Sequence, residues 1–183
     1  MKTRFAWVFA WFVVLVLAGI VSAECRELSG VVSRIHDGDT ITVQNVGKVR
    51  LLGIDTPELG DTEYRDYYYM RRGVDRKTLR QIGRQALHFN IKHALHKQVT
   101  LELGAENKDQ YGRWLAYVWL PDGRMLNRML LEEGLATAFT KFSFSRRDEF
   151  LDAERDARQQ RRGMWAKGRQ EFRREGGGRF MGL

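Results

Sequence analysis

The sequence predicts an α+β domain: a five-stranded OB-fold β-barrel carrying about three α-helices. Three observations lead there. Five short stretches have strand character, one long helical stretch separates the third from the fourth, and two more helical stretches follow the fifth. That order suits a small Greek-key barrel, in which a helix bridges the third and fourth strands. A hydrophobic share of 43% supplies a packed core and excludes wholesale disorder.

Residues 1–23 are expected to stand apart from the fold. Lys2 and Arg4 form a positive start, Phe5 to Val21 is unbroken apolar chain, and Val21-Ser22-Ala23 offers the small residues of a cleavage site before Glu24. The stretch reads either as a signal peptide or, uncleaved, as a short N-terminal membrane anchor. Both readings export the domain, to a secreted or periplasmic place or to the outer side of a membrane. Cys25 is the only cysteine, which excludes an internal disulfide and a cysteine-based metal site.

Within the domain, expected over 24–167, Val31, Val32 and Ile35 precede His36-Asp37-Gly38-Asp39, and Ile41 and Val43 alternate after it. Asp-Gly between two such runs predicts a tight turn. Asn45-Val46-Gly47 makes the next turn, and a third strand carries Arg50. In it Val49, Leu51 and Gly53 are expected on one face and Arg50, Leu52 and Ile54 on the other. Pro57 ends it.

Leu59 to Lys77 has no useful periodicity and reads as a long loop. It holds four of the six tyrosines (Tyr64, Tyr67, Tyr68, Tyr69) among Arg65, Arg71, Arg72 and Arg76. It is either a solvated flap, the preferred reading, or a surface that stacks bases and holds phosphates. Thr78 to His96 predicts a helix, with Thr78 and Gln81 as a capping box and Leu79, Ile82, Ala86, Phe89, His93 and Leu95 on one face. Gly83 weakens it by roughly 1 kcal/mol. His88, His93 and His96 read as surface or half-buried groups rather than zinc ligands.

Gln98 to Leu103 alternates, and Trp114 to Leu120 is a second apolar strand. ENKDQYGR is a polar loop between them. Met125 to Glu133 predicts a short helix closed by Gly134. Ser145 and Asp148 mark the start of another, with Phe150, Ala153 and Ala157 inward and Gly163 at its end; Trp165 is expected against the core. Residues 168–183 are Gly- and Arg-rich and are expected to fray.

A net charge of +8 favours polyanionic partners, nucleic acid or anionic lipid. The chemistry gathers near RLLGIDTPE. An ordered strand end delivers Arg50, Asp55, Thr56 and Glu58 to one rim. Alone, that stretch is equally a phosphate or metal site and an ordinary salt-bridged turn.

Three motifs in order decide the matter: DGDT (Asp37 to Thr40), IDTPE (Ile54 to Glu58) and DQYGR (Asp109 to Arg113), with Arg50 also in place. Together they resemble the staphylococcal-type thermonuclease family over about Gly30 to Trp165. The resemblance implies that Asp39, Asp55 and the Thr56 backbone carbonyl ligate one Ca²⁺, with Asp37 acting through water. Ca²⁺ suits a set made only of oxygen donors. It implies Glu58 as general base and Arg50 and Arg113 as the phosphate clamp. Tyr111 is either a nucleotide contact or a structural part of its turn.

The implied reaction is endonucleolytic hydrolysis of DNA and RNA by water attack, leaving 3′-phosphate ends, with single strands preferred. A monomer is expected, no protein partner is implied, and a membrane enters only through an uncleaved leader. Two departures stand out. The segment 59–77 is longer than the family's usual loop, so it reads as an insertion. Ala136 to Ser145 lacks the family's base-stacking tyrosines, where Phe139 or Phe142 is the available aromatic. The alternatives are a catalytically silent OB-fold module that binds nucleic acid, and a membrane-anchored protein whose basic face meets anionic lipid. Neither explains why Arg50, Glu58, Arg113 and the acids all stand together.

Overall fold

The computed structural model of the chain describes residues 27–60 and 63–166. The expected leader, Cys25 and the tail 168–183 lie outside the described residues. No helix among the described residues is long and apolar enough to cross a membrane.

Five strands close a barrel: β1 (Glu27–Ile35), β2 (Thr40–Val43), β3 (Gly47–Leu51), β5 (Gln98–Lys108) and β6 (Trp114–Trp119). Their order around it is β1-β2-β3-β6-β5, with β5 pairing back onto β1. All neighbours are antiparallel except β3 and β6, which run parallel. This is the expected OB-type barrel. Alternation fills it: Ile41 and Val43, Val49 and Leu51, and Val99 and Leu101 are all buried, and Ala116 and Val118 join them from β6.

The expected alternation of β3 ends early. Gly53 takes φ 78°, and a Cβ there would lie 2.7 Å from the Phe144 ring. The chain therefore turns after Leu51, and Ile54 is buried rather than on Arg50's outer face. Ile54–Asp55 forms its own strand, β4, paired with β7 (Thr137–Ala138). Asp55 is thus carried by a small second ladder beside the barrel.

The segment expected as a loop contains helix α1 (Glu63–Met70). It has no apolar stripe to betray it, and polar contacts described below pin it. Helix α2 spans Arg76–Ala94, and its cap is Asp75, not Thr78: Asp75 Oδ1 accepts the Thr78 N–H at 2.9 Å and Oδ2 the Thr78 hydroxyl at 2.6 Å. Leu79, Ile82 and Ala86 face inward as expected, joined by Gly83, Asn90 and Ala94. The expected polar loop after Leu103 is shorter, because β5 continues to Lys108.

Helix α3 (Leu126–Glu132) lies against the barrel end and is closed by Gly134 at φ 65°. Its buried Asn127 accepts from Val118 N–H at 2.9 Å and donates to Leu52 O at 2.9 Å, tying α3 to the strand ends. Helix α4 (Arg147–Gln159) buries Phe150, Ala153 and Ala157 as expected. Its cap position is Arg146, which makes no side-chain cap, and Ser145, one residue earlier, shares a hydrogen bond with Tyr117 Oη at 3.1 Å instead. A 3₁₀ turn, Gly163–Trp165, brings Trp165 back to the core.

Candidate active site

The site starts from Arg50. Its neighbours Val49 and Leu51 face into the barrel, so Arg50 projects outward, register-paired with Thr40 of β2. Its guanidinium meets two carboxylates at once. Nη1 donates to Asp39 Oδ1, and Nη2 donates to Asp55 Oδ1 at 2.9 Å. Asp39 comes from the turn before β2 and Asp55 from β4, so the barrel and the small ladder converge on one cation. Asp39 is 3% exposed and Asp55 6%. Buried carboxylates are tolerated only when paired and hydrogen-bonded. The remaining oxygens are served accordingly. Asp39 Oδ1 accepts the Thr40 hydroxyl at 3.1 Å, and Oδ2 accepts the Thr56 N–H at 3.2 Å and its hydroxyl at 3.3 Å. Burial works against the charge on Arg50, but Asp39 and Asp55 outweigh it and hold the guanidinium firmly protonated.

Asp37 shapes the turn. Its Oδ1 accepts the Asp39 N–H at 2.9 Å and the Thr40 N–H at 2.7 Å. Burial, and then the neighbouring Asp39 charge, push its carboxyl above the ordinary carboxylate value. Asp37 therefore sits where added positive charge would be welcome.

One face of α2 supports both halves of the site. Gly83, Ala86 and Asn90 stand at i, i+3 and i+7. Asn90 Nδ2 donates to Gly38 O at 2.9 Å and to Asp37 O at 3.3 Å, holding the Asp37–Asp39 turn. A Cβ on Gly38 would lie 2.7 Å from the Ala86 methyl. A Cβ on Gly83 would lie 2.7 Å from Pro57 O and 3.1 Å from Glu58 O. The residue that weakens the helix in isolation is what lets the Glu58 segment lie against it. Glu58 is half-buried, and its carbonyl accepts from Arg80 Nη1 at 3.2 Å.

Arg113 reaches the cluster from the turn before β6. Its Nε donates to Asp109 Oδ2 at 2.8 Å and its Nη1 to the Thr40 hydroxyl at 3.3 Å. Thr40 thus bridges Arg113 to Asp39. Burial pushes the Asp109 carboxyl up, but hydrogen bonds and charge from Arg113 outweigh it and hold it below the ordinary value. Tyr111 is 76% exposed, its ring 5.6 Å from the Arg113 guanidinium carbon. Asp37, Asp39, Arg50, Asp55, Thr56 and Arg113 therefore form one connected network. Glu58 stands three residues beyond Asp55, and Tyr111 lies at the outer rim.

Four supporting residues escape sequence reasoning. Tyr69 of α1 donates its hydroxyl to Asp55 Oδ2 at 2.8 Å, and Asp66 of the same helix pairs with Arg80, with Nη1 to Oδ1 at 3.1 Å. The segment's irregular pattern hides both. Asn90 interrupts an otherwise apolar helical face, which was its only signal. Asp109 opens the DQYGR motif, and its place four residues before Arg113 is legible in hindsight.

The donor set suits a hard divalent cation. Two buried carboxylates already converge on one positive group, and every nearby donor is oxygen. Asp39, Asp55 and the Thr56 carbonyl are the residues that would hold it. Among the described residues no group of three or more His, Cys, Asp and Glu side chains is gathered as a metal site.

Residues 48–167 match the family described as staphylococcal nuclease homologue. An uncharacterized protein of Methanocaldococcus jannaschii is 38% identical over 147 residues, covering 74% of this chain and 70% of its own length. A thermonuclease of Staphylococcus intermedius is 41% identical over 122 residues, 64% of this chain and 63% of that protein. A thermonuclease of Staphylococcus hyicus is 34% identical over 155 residues, 81% of each.

Proposed function

The chain belongs to the staphylococcal nuclease family, and from that premise we propose that it is an exported, Ca²⁺-dependent endonuclease. It hydrolyses DNA and RNA phosphodiester bonds by water attack and leaves 3′-phosphate ends. The observation that carries this reading is the single network in which Arg50 spans Asp39 and Asp55 while Thr40 ties Arg113 to Asp39. A nucleic-acid-binding barrel has no use for two buried acids converging beside two arginines. Phosphodiester hydrolysis uses both.

The roles follow from the chemistry of each group. Arg113 presents a planar fork beside an exposed aromatic, suited to bidentate contact with phosphate oxygens. Arg50 offers a second fork. Here that fork is held by Asp39 and Asp55, so phosphate binding competes with the two carboxylates. Both forks strengthen as negative charge builds on the equatorial oxygens in the transition state, which is the source of rate acceleration. Glu58 accepts the proton of the attacking water. Ca²⁺, if held by Asp39, Asp55 and the Thr56 carbonyl, would supply charge neutralisation at the phosphate.

Export rests on the apolar leader, and substrate class on the relatives named thermonuclease. A monomer acting on single strands is part of the same proposal. The test is to incubate the full chain with single-stranded DNA and RNA under Ca²⁺, with a chelator control and a Glu58→Gln control. Chelator-sensitive cutting that Glu58→Gln abolishes supports the reading. Binding without cutting moves the chain to a catalytically silent nucleic-acid-binding barrel.

A further inference from the structure

Helix α1 has two faces with different business. Inward, Tyr69 donates to Asp55, and Asp66 pairs with Arg80, whose guanidinium also holds the Glu58 carbonyl. Outward, it shows Tyr67 (61% exposed) and Tyr68 (37%) to solvent. Arg71 and Arg72 follow four residues after each and are also exposed. Arg72 lies 3.9 Å over the Tyr68 ring, and Arg71 lies 5.9 Å from the Tyr67 ring. These are two parallel Tyr–Arg pairs at i, i+4, each joining a flat aromatic to a cation.

We propose that this outer face is a second nucleic-acid subsite, which takes the bases and phosphates of a single strand beyond the bond being cut. It rests on the nuclease reading and deepens it. A phenol ring exposed to water gains from stacking on any base, and a guanidinium beside it meets the adjoining phosphate. A single strand is the form whose bases are free to stack. The positive charge of the pairs matches a polyanion, in keeping with the chain's net charge of +8. Scattered exposed aromatics are ordinary on protein surfaces. Here, however, the helix that carries them is fastened by buried polar contacts to Asp55 and to the Glu58 segment. A strand held on Tyr67 and Tyr68 is thus held at a fixed place relative to the acids.

The experiment measures fluorescence anisotropy of a labelled oligothymidylate of roughly 16 nucleotides, the upper site size of one OB-fold. It uses the full chain with chelator present, so that nothing is cut. Tyr67→Ala/Tyr68→Ala should weaken binding about tenfold or more, while Tyr67→Phe/Tyr68→Phe stays within about twofold, because stacking needs the ring and not the hydroxyl. Arg71→Gln/Arg72→Gln should reduce the slope of log K against log salt by about 1.4, at roughly 0.7 per phosphate contact on a single strand. Unchanged affinity in the alanine pair overturns the subsite, as does an equal loss in the phenylalanine pair. A melting curve checks that the alanine pair is folded; Tyr68 also meets the Tyr69 ring edge-on at 5.5 Å, so a modest fall in its midpoint is expected, with binding measured well below it. Cleavage of the same oligomer under Ca²⁺ separates the two readings. A wild-type chain that binds but never cuts removes the nuclease and leaves the subsite. One that cuts while the alanine pair binds as tightly removes the subsite and leaves the nuclease.

Discussion

The hydroxyl of Tyr69 donates to Asp55 Oδ2 at 2.8 Å, deep in the protein, while Asp55 Oδ1 accepts from Arg50. Burial, followed by the Asp55 charge, pushes the Tyr69 phenol well above its ordinary value, so it stays a donor at any working pH. Tyr69→Phe keeps the ring and removes the donor. A hydrogen bond to a charged group contributes about 1.5–3 kcal/mol, so urea denaturation should show a loss of that order. Asp55 also loses its alignment, and the Ca²⁺ concentration for half-maximal activity should rise about tenfold, equivalent to roughly 1.4 kcal/mol. Wild-type stability together with a wild-type metal response would show that the contact is idle.

Gly83 makes an opposed prediction for stability and activity. Alanine is the better helix former by roughly 1 kcal/mol. The added methyl, however, would stand 2.7 Å from Pro57 O, and backbone yields less readily than a side chain. The Glu58 segment has to move outward. Gly83→Ala should therefore lose at least about tenfold in kcat, as misplacement of a catalytic group does, while the protein remains folded by circular dichroism. A variant that melts higher and turns over normally would mean that the segment has slack.

The Asp109–Arg113 pair carries a pH signature. The folded carboxyl titrates below its ordinary value of 3.8, so the unfolded chain binds more protons in between. Its stabilisation is therefore complete above 3.8 and is lost as the pH falls through the lower folded value. Asp109→Asn should destabilise the protein by a constant amount at neutral pH. That difference should shrink to nothing in acid-denaturation curves taken below the folded value. A gap that persists at the lowest pH would assign the effect to turn geometry rather than to charge.

What was legible in the sequence is what repeats. Ile41 and Val43, Val49 and Leu51, and Val99 and Leu101 announce their strands by alternation, and Leu79, Ile82 and Ala86 announce their helix by spacing. The DGDT, IDTPE and DQYGR strings place their residues near one another because each sits at a strand end. The illegible parts lack a period. Helix α1 is fastened by Asp66 and Tyr69 to polar partners, not by an apolar stripe, so the Tyr/Arg segment reads as loop. The β4–β7 ladder pairs two residues with two, too few for any pattern. Gly83 and Asn90 look like flaws in a helix face because their value lies in chain segments far away in sequence.

The last prediction concerns which charge the acids are built for. Arg50→Met leaves Asp39 and Asp55 buried without their guanidinium, and breaking such a pair destabilises by about 3–5 kcal/mol. If these carboxylates also accept a divalent cation, Ca²⁺ should restore part of that loss, by about 2.7 kcal/mol at a hundredfold excess over its dissociation constant. The melting midpoint of Arg50→Met should then rise more on adding Ca²⁺ than that of wild type, where the cation competes with Arg50. Arg113→Met makes the contrast. It removes the Asp109 ion pair and so costs some stability, but it leaves the Arg50 contacts with Asp39 and Asp55 in place, so its Ca²⁺ response should stay near wild type. Neither variant should cut: each lacks one fork on the phosphate, a loss of roughly a hundredfold or more in kcat. Calorimetry reads the metal response without any turnover. A Ca²⁺ shift no larger in Arg50→Met than in wild type would place the ion somewhere other than between Asp39 and Asp55.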